Sequence, residues 1–389
     1  MSDHDAIIIG AGPGGCSAAI SLAERGARVL LLEEKRMPRD KLCGEFVAGE
    51  CLPSLERLGV LSDLMMSGAH RINRVKLVAP GGRTVESSIS DISSTGDGAI
   101  SISRSRFDQV LFQRAREAGV VCLQGFAVKQ TVCNGSTVTG VEGLALPSGA
   151  QVRFEAPFVV DASGRNSRLA LDRRERVGGS KGSRLYAMKA HFTGIEEIDD
   201  QVELYFFPSG YGGLTRIEAG LVNLCFIVRE EVLRSARGNP TKVLERSVLA
   251  NPIARDRLRA ATQVGQWLTA GPLTFGRRRG GSDGVIAIGD AAGMIDPFTG
   301  TGIQMALRTG EIAADCIAAA DSPRDAAGRY EGAYWGEFGK RLKAAGLLRR
   351  LASSPAAAEL AARLLTRFPK LNHRVLRATR RSGANGGSP

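Results

Sequence analysis

No apolar run in this chain is long enough to cross a bilayer, and the strand-like run that begins at Ala6 is preceded by Asp3 and Asp5 rather than by a cationic segment. A spanning helix and a secretory leader are therefore not expected, and the protein reads as cytoplasmic. Histidine is scarce: His4, His70, His191 and His373 stand far apart with no ligand spacing, so no metal is implied. The seven cysteines (16, 43, 51, 122, 133, 225 and 316) are odd in number, scattered and never spaced as CxxC. That excludes a disulfide framework and a zinc ribbon, and fits a reducing compartment. Acid is nearly missing from one region, since residues 340–389 hold twelve Lys and Arg against the single acid Glu359. Of the formal net charge of +12, +11 sits there, and the other residues carry 40 bases against 39 acids. A neutral body with a basic tail speaks against nucleic acid as a partner and for peripheral contact with an anionic membrane.

What is present reads as globular. With 389 residues and 43% hydrophobic content, the chain can bury a sizeable core, as two interleaved domains or one large α/β unit with an added subdomain. "DAIIIGAGPGGCSAAISLAERGARVLLLEE" (Asp5 to Glu34) predicts a buried strand over Ala6–Ile9, a helix over Ser17–Arg25 and a second strand over Ala27–Leu32. Gly10, Gly12 and Gly15 form GxGxxG at the first turn, with Pro13 and Gly14 between them. Missing side chains there permit a tight bend, approach of a pyrophosphate to the helix N-terminus, and close packing of helix on sheet. Glu33 ends the second strand, where a carboxylate can accept from an adenosine ribose.

"GVIAIGDAAGMIDPFTGTGIQMALRTGEIAA" (Gly284 to Ala314) supplies a second anchor: a strand, the pair Gly289-Asp290, a loop with Pro297, and a glycine-rich helix entry through Gly300, Thr301, Gly302 and Ile303. Asp290 can hold a ribityl hydroxyl, and the backbone N–H groups at Gly300 and Gly302 can approach an electron-rich ring edge. Two anchors this far apart suit a long cofactor.

Together these stretches resemble the flavoproteins of the para-hydroxybenzoate hydroxylase superfamily, and within it the geranylgeranyl reductase family. "MPRDKLCGEF" (Met37 to Phe46), "SRSRFDQVLFQRAREAG" (Ser103 to Gly119) and "VVDASGRNSRLA" (Val159 to Ala170) carry the resemblance further. It implies FAD as cofactor, with Arg39 and Arg104 along its path, and Asp161, Ala162 and Gly164 as a backbone wall beside its adenosine half. Cys43 and Gly44 would lie near the flavin ring. Two readings of Cys43 stay open, a reactive or proton-donating thiol and a small loop residue. Tyr205 and Tyr211 could line a substrate pocket, with ordinary sheet packing the favoured reading of each, and His191 reads as a strand residue rather than a catalytic base.

The same resemblance implies a Rossmann-type α/β FAD-binding domain built from 1–68, 101–178 and 273–320. A strand-rich substrate domain comes from 69–100 and 179–272, and a C-terminal helical region from 321–389. Alternating runs at Arg74–Val78 and Val202–Phe206 predict a half-exposed antiparallel sheet in the inserted part.

Gly293 stands where aromatic hydroxylases place His after Gly-Asp-Ala-Ala. Trp267 and Trp335 stand alone, without the Trp-x-Trp-x-x-Pro run of flavin halogenases. Glu45 replaces the second of two glycines that follow the cysteine in the reductases. The leading expectation is reduction of C=C bonds in an apolar, polyprenyl-like substrate. The alternatives are an O2- and NAD(P)H-dependent hydroxylase of an aromatic or polyketide substrate, and a non-catalytic flavin-binding regulator. No second strand-bound GxGxxG is present, so NAD(P)H would visit only transiently as reductant.

Overall fold

The computed structural model describes residues 3–167, 169, 184–198, 200–277 and 284–352. Outside them lie the tail segment Pro355–Arg381, in which the spacing of Leu360, Leu364, Leu365 and Phe368 predicts one apolar helical face, and the glycine-rich run Gly178–Gly182, which lacks the strand and helix signals of a second nucleotide-binding turn.

A five-stranded parallel sheet runs in the order Val285–Ala287, Phe158–Asp161, Ala6–Ile9, Val29–Glu33, Val121–Gln124. Because successive side chains of a strand point to opposite faces, the run Ala6–Ile9 feeds two cores at once. Ile8 joins Leu31, Ile20, Phe107 and Leu307 under the helices Pro13–Ala23, Arg104–Glu117 and Gly302–Ala318. Ile7 and Ile9 join Leu30, Leu32, Phe126 and Val141 under an antiparallel meander of Phe126–Asn134, Thr137–Ala145 and Ala150–Glu155. The first helix starts at Pro13, four residues before the sequence expectation, because Pro at the first helical position arrives with its φ already helical.

A second sheet of seven strands has the order Thr262–Leu273, Leu185–Thr193, Val222–Arg229, Gly210–Arg216, Gln201–Phe207, Arg74–Val78, Thr84–Ser88. It is antiparallel except where Gln201–Phe207 runs parallel to Arg74–Val78. The expected half-exposed face is covered instead. Met188, Phe192, Tyr205, Leu224 and Phe226 pack beneath short helices, Pro240–Arg246 and Pro252–Arg257 among them. The opposite face turns Val202, Leu204, Tyr211 and Ile227 toward the parallel sheet.

The helix Pro323–Ala352 buries Tyr330, Tyr334 and Phe338 in the core that also holds the helix Gly302–Ala318. Among the described residues no helix is long and apolar enough to cross a membrane.

Candidate active site

Between the two sheets lies a cavity of about 850 Å³. One end is built by the first strand-turn-helix. Gly10 has φ +99°, and a Cβ there would lie 2.6 Å from the Ala162 carbonyl oxygen. A Cβ on Gly15 would come within 1.8 Å of the Gly10 carbonyl oxygen. Gly15 thus closes helix onto strand and does not line the cavity, whereas Gly10, Gly12, Pro13 and Gly14 do. At Gly12 a Cβ would meet nothing within 4 Å, and the same holds at Gly44 and Gly302, all three on the cavity wall. These positions form a cradle open to a ligand that approaches bare backbone, as a pyrophosphate at a helix N-terminus must.

Glu33 lines the cavity but spends much of its carboxylate on the protein. Oε2 accepts from the Ala11 N–H at 2.9 Å and from Arg39 Nη2 at 3.2 Å, while Oε1 accepts from the Lys35 N–H at 2.9 Å. Arg39 reaches on to Asp108 at 3.0 Å, and Arg104 grips the same carboxylate with Nε and Nη2, each at 2.8 Å. Burial works against the Arg104 charge, but Asp108 and Cys43 beside it raise its pKa above the ordinary value. Lys41 and Arg165 complete a cationic wall, and burial lowers the pKa of both; at Lys41 the repulsion of Arg104 and Arg39 adds to it. Such a wall suits an anion.

The remaining sequence-derived positions divide. Arg39, Cys43, Gly44, Arg104, Ala162, Gly164, Gly289, Asp290, Pro297, Gly300, Gly302 and Ile303 all line this one cavity. Asp161 and Thr301 do not, and both are buried. Asp161 is a fold residue: its carboxylate accepts from the Ser163 N–H at 3.0 Å, from the Ser163 hydroxyl at 2.6 Å and from the Ser167 hydroxyl, and so shapes the turn that presents Ala162 and Gly164.

Away from the cations the wall changes character. Phe46, Val202, Leu204, Leu214, Ile227 and Phe298 make it apolar. Tyr211, for which the sequence offered a pocket position but favoured sheet packing, lines this end and donates to Asp296 Oδ1 at 2.5 Å, its ring edge-on to Phe298 with centroids 5.8 Å apart. Burial, with Asp296 adding to it, pushes the Tyr211 pKa well up, so the phenol stays protonated. Tyr205, by contrast, is sheet packing as expected: it is buried on the opposite face with its hydroxyl on Glu203. Trp267 also lies there, edge-on to Phe192 and Phe226. Cys43 sits on the wall with its Sγ accepting from the Glu45 N–H at 3.3 Å. Sequence reasoning missed Lys41, although it stands within the quoted run 37–46, and gave no role to Lys189, whose partners are remote in sequence.

A family model described as FAD binding domain matches residues 3–320. The digeranylgeranylglycerophospholipid reductase 2 of Methanopyrus kandleri is 28% identical over 356 residues, covering 88% of this chain and 84% of that protein. The flavin-dependent brominase Bmp2 has the same fold, with TM-score 0.81 at 22% identity over 97% of this chain and 93% of that one. So has a geranylgeranyl bacteriochlorophyll reductase-like protein of Thermoplasma acidophilum, with TM-score 0.78 at 19% identity over 96% and 95%.

Proposed function

Because the chain belongs to the FAD-binding-domain family and is an FAD-dependent oxidoreductase, we propose that it reduces C=C bonds of an apolar, polyprenyl-like lipid. The observation that carries this reading is the division of the cavity into a cationic end, with Arg39, Lys41 and Arg104, and an apolar end on the antiparallel sheet. The first fits the anionic half of FAD and the second fits a hydrocarbon chain. The resemblance to a reductase that acts, by its name, on digeranylgeranylglycerophospholipid supports the same choice.

In this reading the turn through Gly10 and Gly12 and the helix start at Pro13 and Gly14 take the pyrophosphate, Glu33 uses its remaining lone pairs for the ribose, and Asp290 takes a ribityl hydroxyl. Bound there, FAD supplies hydride chemistry at its ring. The polypeptide positions and protonates. Cys43 Sγ is held at the wall by the Glu45 N–H, where its thiol can release a proton to a substrate carbon and regain one from water. The apolar wall keeps water from the reacting carbon. NAD(P)H is the proposed visiting reductant.

The test is to reduce the flavin of the purified protein without oxygen and add a geranylgeranyl lipid. The expected product is heavier by hydrogens alone. A product heavier by one oxygen atom, formed only with oxygen, would make the protein a hydroxylase, and a flavin that no donor reduces would make it a regulator.

A further inference from the structure

The loop that carries Cys43 is fastened to the antiparallel sheet by charge. Glu45 is fully buried and adopts φ +56°, a left-handed backbone that a side chain tolerates only when its surroundings hold it there. Its Oε1 accepts from Lys189 Nζ at 2.5 Å and from the Arg104 N–H at 2.7 Å, and its Oε2 lies 2.7 Å from His191 Nε2. Lys189, only 2% exposed, also donates to the Lys41 carbonyl at 3.2 Å, and Asn223 Nδ2 donates to the Cys43 carbonyl at 3.2 Å.

Register explains the convergence. His191 stands opposite Asn223, and Lys189 opposite Cys225, on neighbouring strands of one sheet. Cys225 lines the cavity, and Lys189, its partner across the strand pair, projects from the same face beside it, with Glu45 on its amine, although neither Lys189 nor Glu45 lines the cavity itself. Burial alone would raise the Glu45 carboxyl, but the bond from His191 and the charge of Lys189 hold it below the ordinary carboxylate value. One buried anion and one buried cation therefore cancel at this point. Removing Glu45 leaves the Lys189 charge without its carboxylate, and removing Lys189 leaves the Glu45 charge to His191 and the Arg104 N–H, in both cases with little screening.

We propose that Glu45 is a positioning residue of this active site, which pins the Cys43 loop to the sheet through Lys189 and His191 and keeps the wall facing the flavin electrically neutral by cancelling the charge of Lys189. The proposal rests on the reading that FAD occupies this cavity. Reduction adds electron density to the flavin ring, so an uncompensated cation beside the wall favours the reduced form and an uncompensated anion disfavours it.

The experiment measures the flavin midpoint potential of the FAD-loaded protein and its variants at fixed pH. Glu45→Gln should raise the potential and Lys189→Met should lower it, each by about tenfold in the reduced-to-oxidised ratio, or ~30 mV for a two-electron couple. The double variant, which deletes both charges together, should return to the parent value. Shifts of the same sign in both single variants, or no shift in either, would reduce the cluster to a structural clasp and overturn the proposal. If a single variant loses FAD or its fold, the double variant decides: parent potential supports the proposal, and a displaced potential refutes it. A parent protein that takes up no FAD would overturn instead the cofactor reading on which the proposal stands, and the proposal with it.

Discussion

Asp108 is the point at which the cationic wall is most open to attack. Its side chain is fully buried and receives three bonds, two from Arg104 at 2.8 Å and one from Arg39 at 3.0 Å. Asp108→Asn preserves shape but removes the charge, and it turns an amide NH2 toward guanidinium donors. Breaking a buried ion pair by neutralising one partner costs about 3–5 kcal/mol, because the remaining charge stays desolvated. Arg39 keeps Glu33 as a second counter-ion, so the loss falls chiefly on Arg104 and the lower end, about 3 kcal/mol, is expected. Urea unfolding of the FAD-free protein, followed by circular dichroism, measures it. If Arg39 and Arg104 also face an anionic cofactor, the FAD-saturated variant should lose less than the FAD-free one, since the ligand restores counter-charge. A loss below about 1 kcal/mol in the FAD-free protein would refute the idea that this carboxylate holds the wall together. An equal loss with and without FAD would separate the arginines from the cofactor.

Other outcomes follow from the same geometry. Asp290→Ala should weaken FAD binding by one to two orders of magnitude, the equivalent of a charge-assisted hydrogen bond of roughly 1.5–3 kcal/mol, read by equilibrium ultrafiltration. Retention equal to the parent would remove Asp290 from the site. Glu45 has a folded pKa below its ordinary value of 4.5, so its contribution to stability is complete above that pH and is lost as pH falls through the depressed pKa. The stability gap between parent and Glu45→Gln should therefore narrow as acid is added, and a constant gap would contradict it. We propose peripheral contact between the basic tail and anionic membrane: the full chain should co-sediment with anionic vesicles at low salt, and a chain ending at Ser354 should not. Equal binding by both chains would remove that role.

The parts legible in the sequence are those whose partners are near in the chain or whose residue type admits one geometry. The strands Ala6–Ile9 and Val29–Glu33 flank a turn whose glycines are demanded by contacts of 2.6 and 1.8 Å, so composition and position coincide. Asp161 shows the limit: its place at a strand end was readable, but whether its carboxylate faces a ligand or folds back onto Ser163 and Ser167 depends on the turn that follows. The alternation in Val202–Phe206 was readable as a strand, yet not that both faces are covered, since its covering elements come from distant segments. The charge clusters were least legible. Glu45 lies 144 residues from Lys189 and 146 from His191, and Arg39 lies 69 from Asp108, so no local spacing announces either group.

The central claim is that FAD lies against the bare turn at Gly12, and substitution of that one residue tests it most directly. Gly12 has φ −82° and ψ −176°, a backbone open to any residue, and a Cβ there meets no protein atom within 4 Å. Gly12→Leu should fold with parent circular dichroism while its side chain occupies the cradle. Purified parent protein should release about one FAD per chain on denaturation, and the variant should release almost none even after incubation with excess cofactor. A folded Gly12→Leu that binds FAD as tightly as the parent would contradict the account.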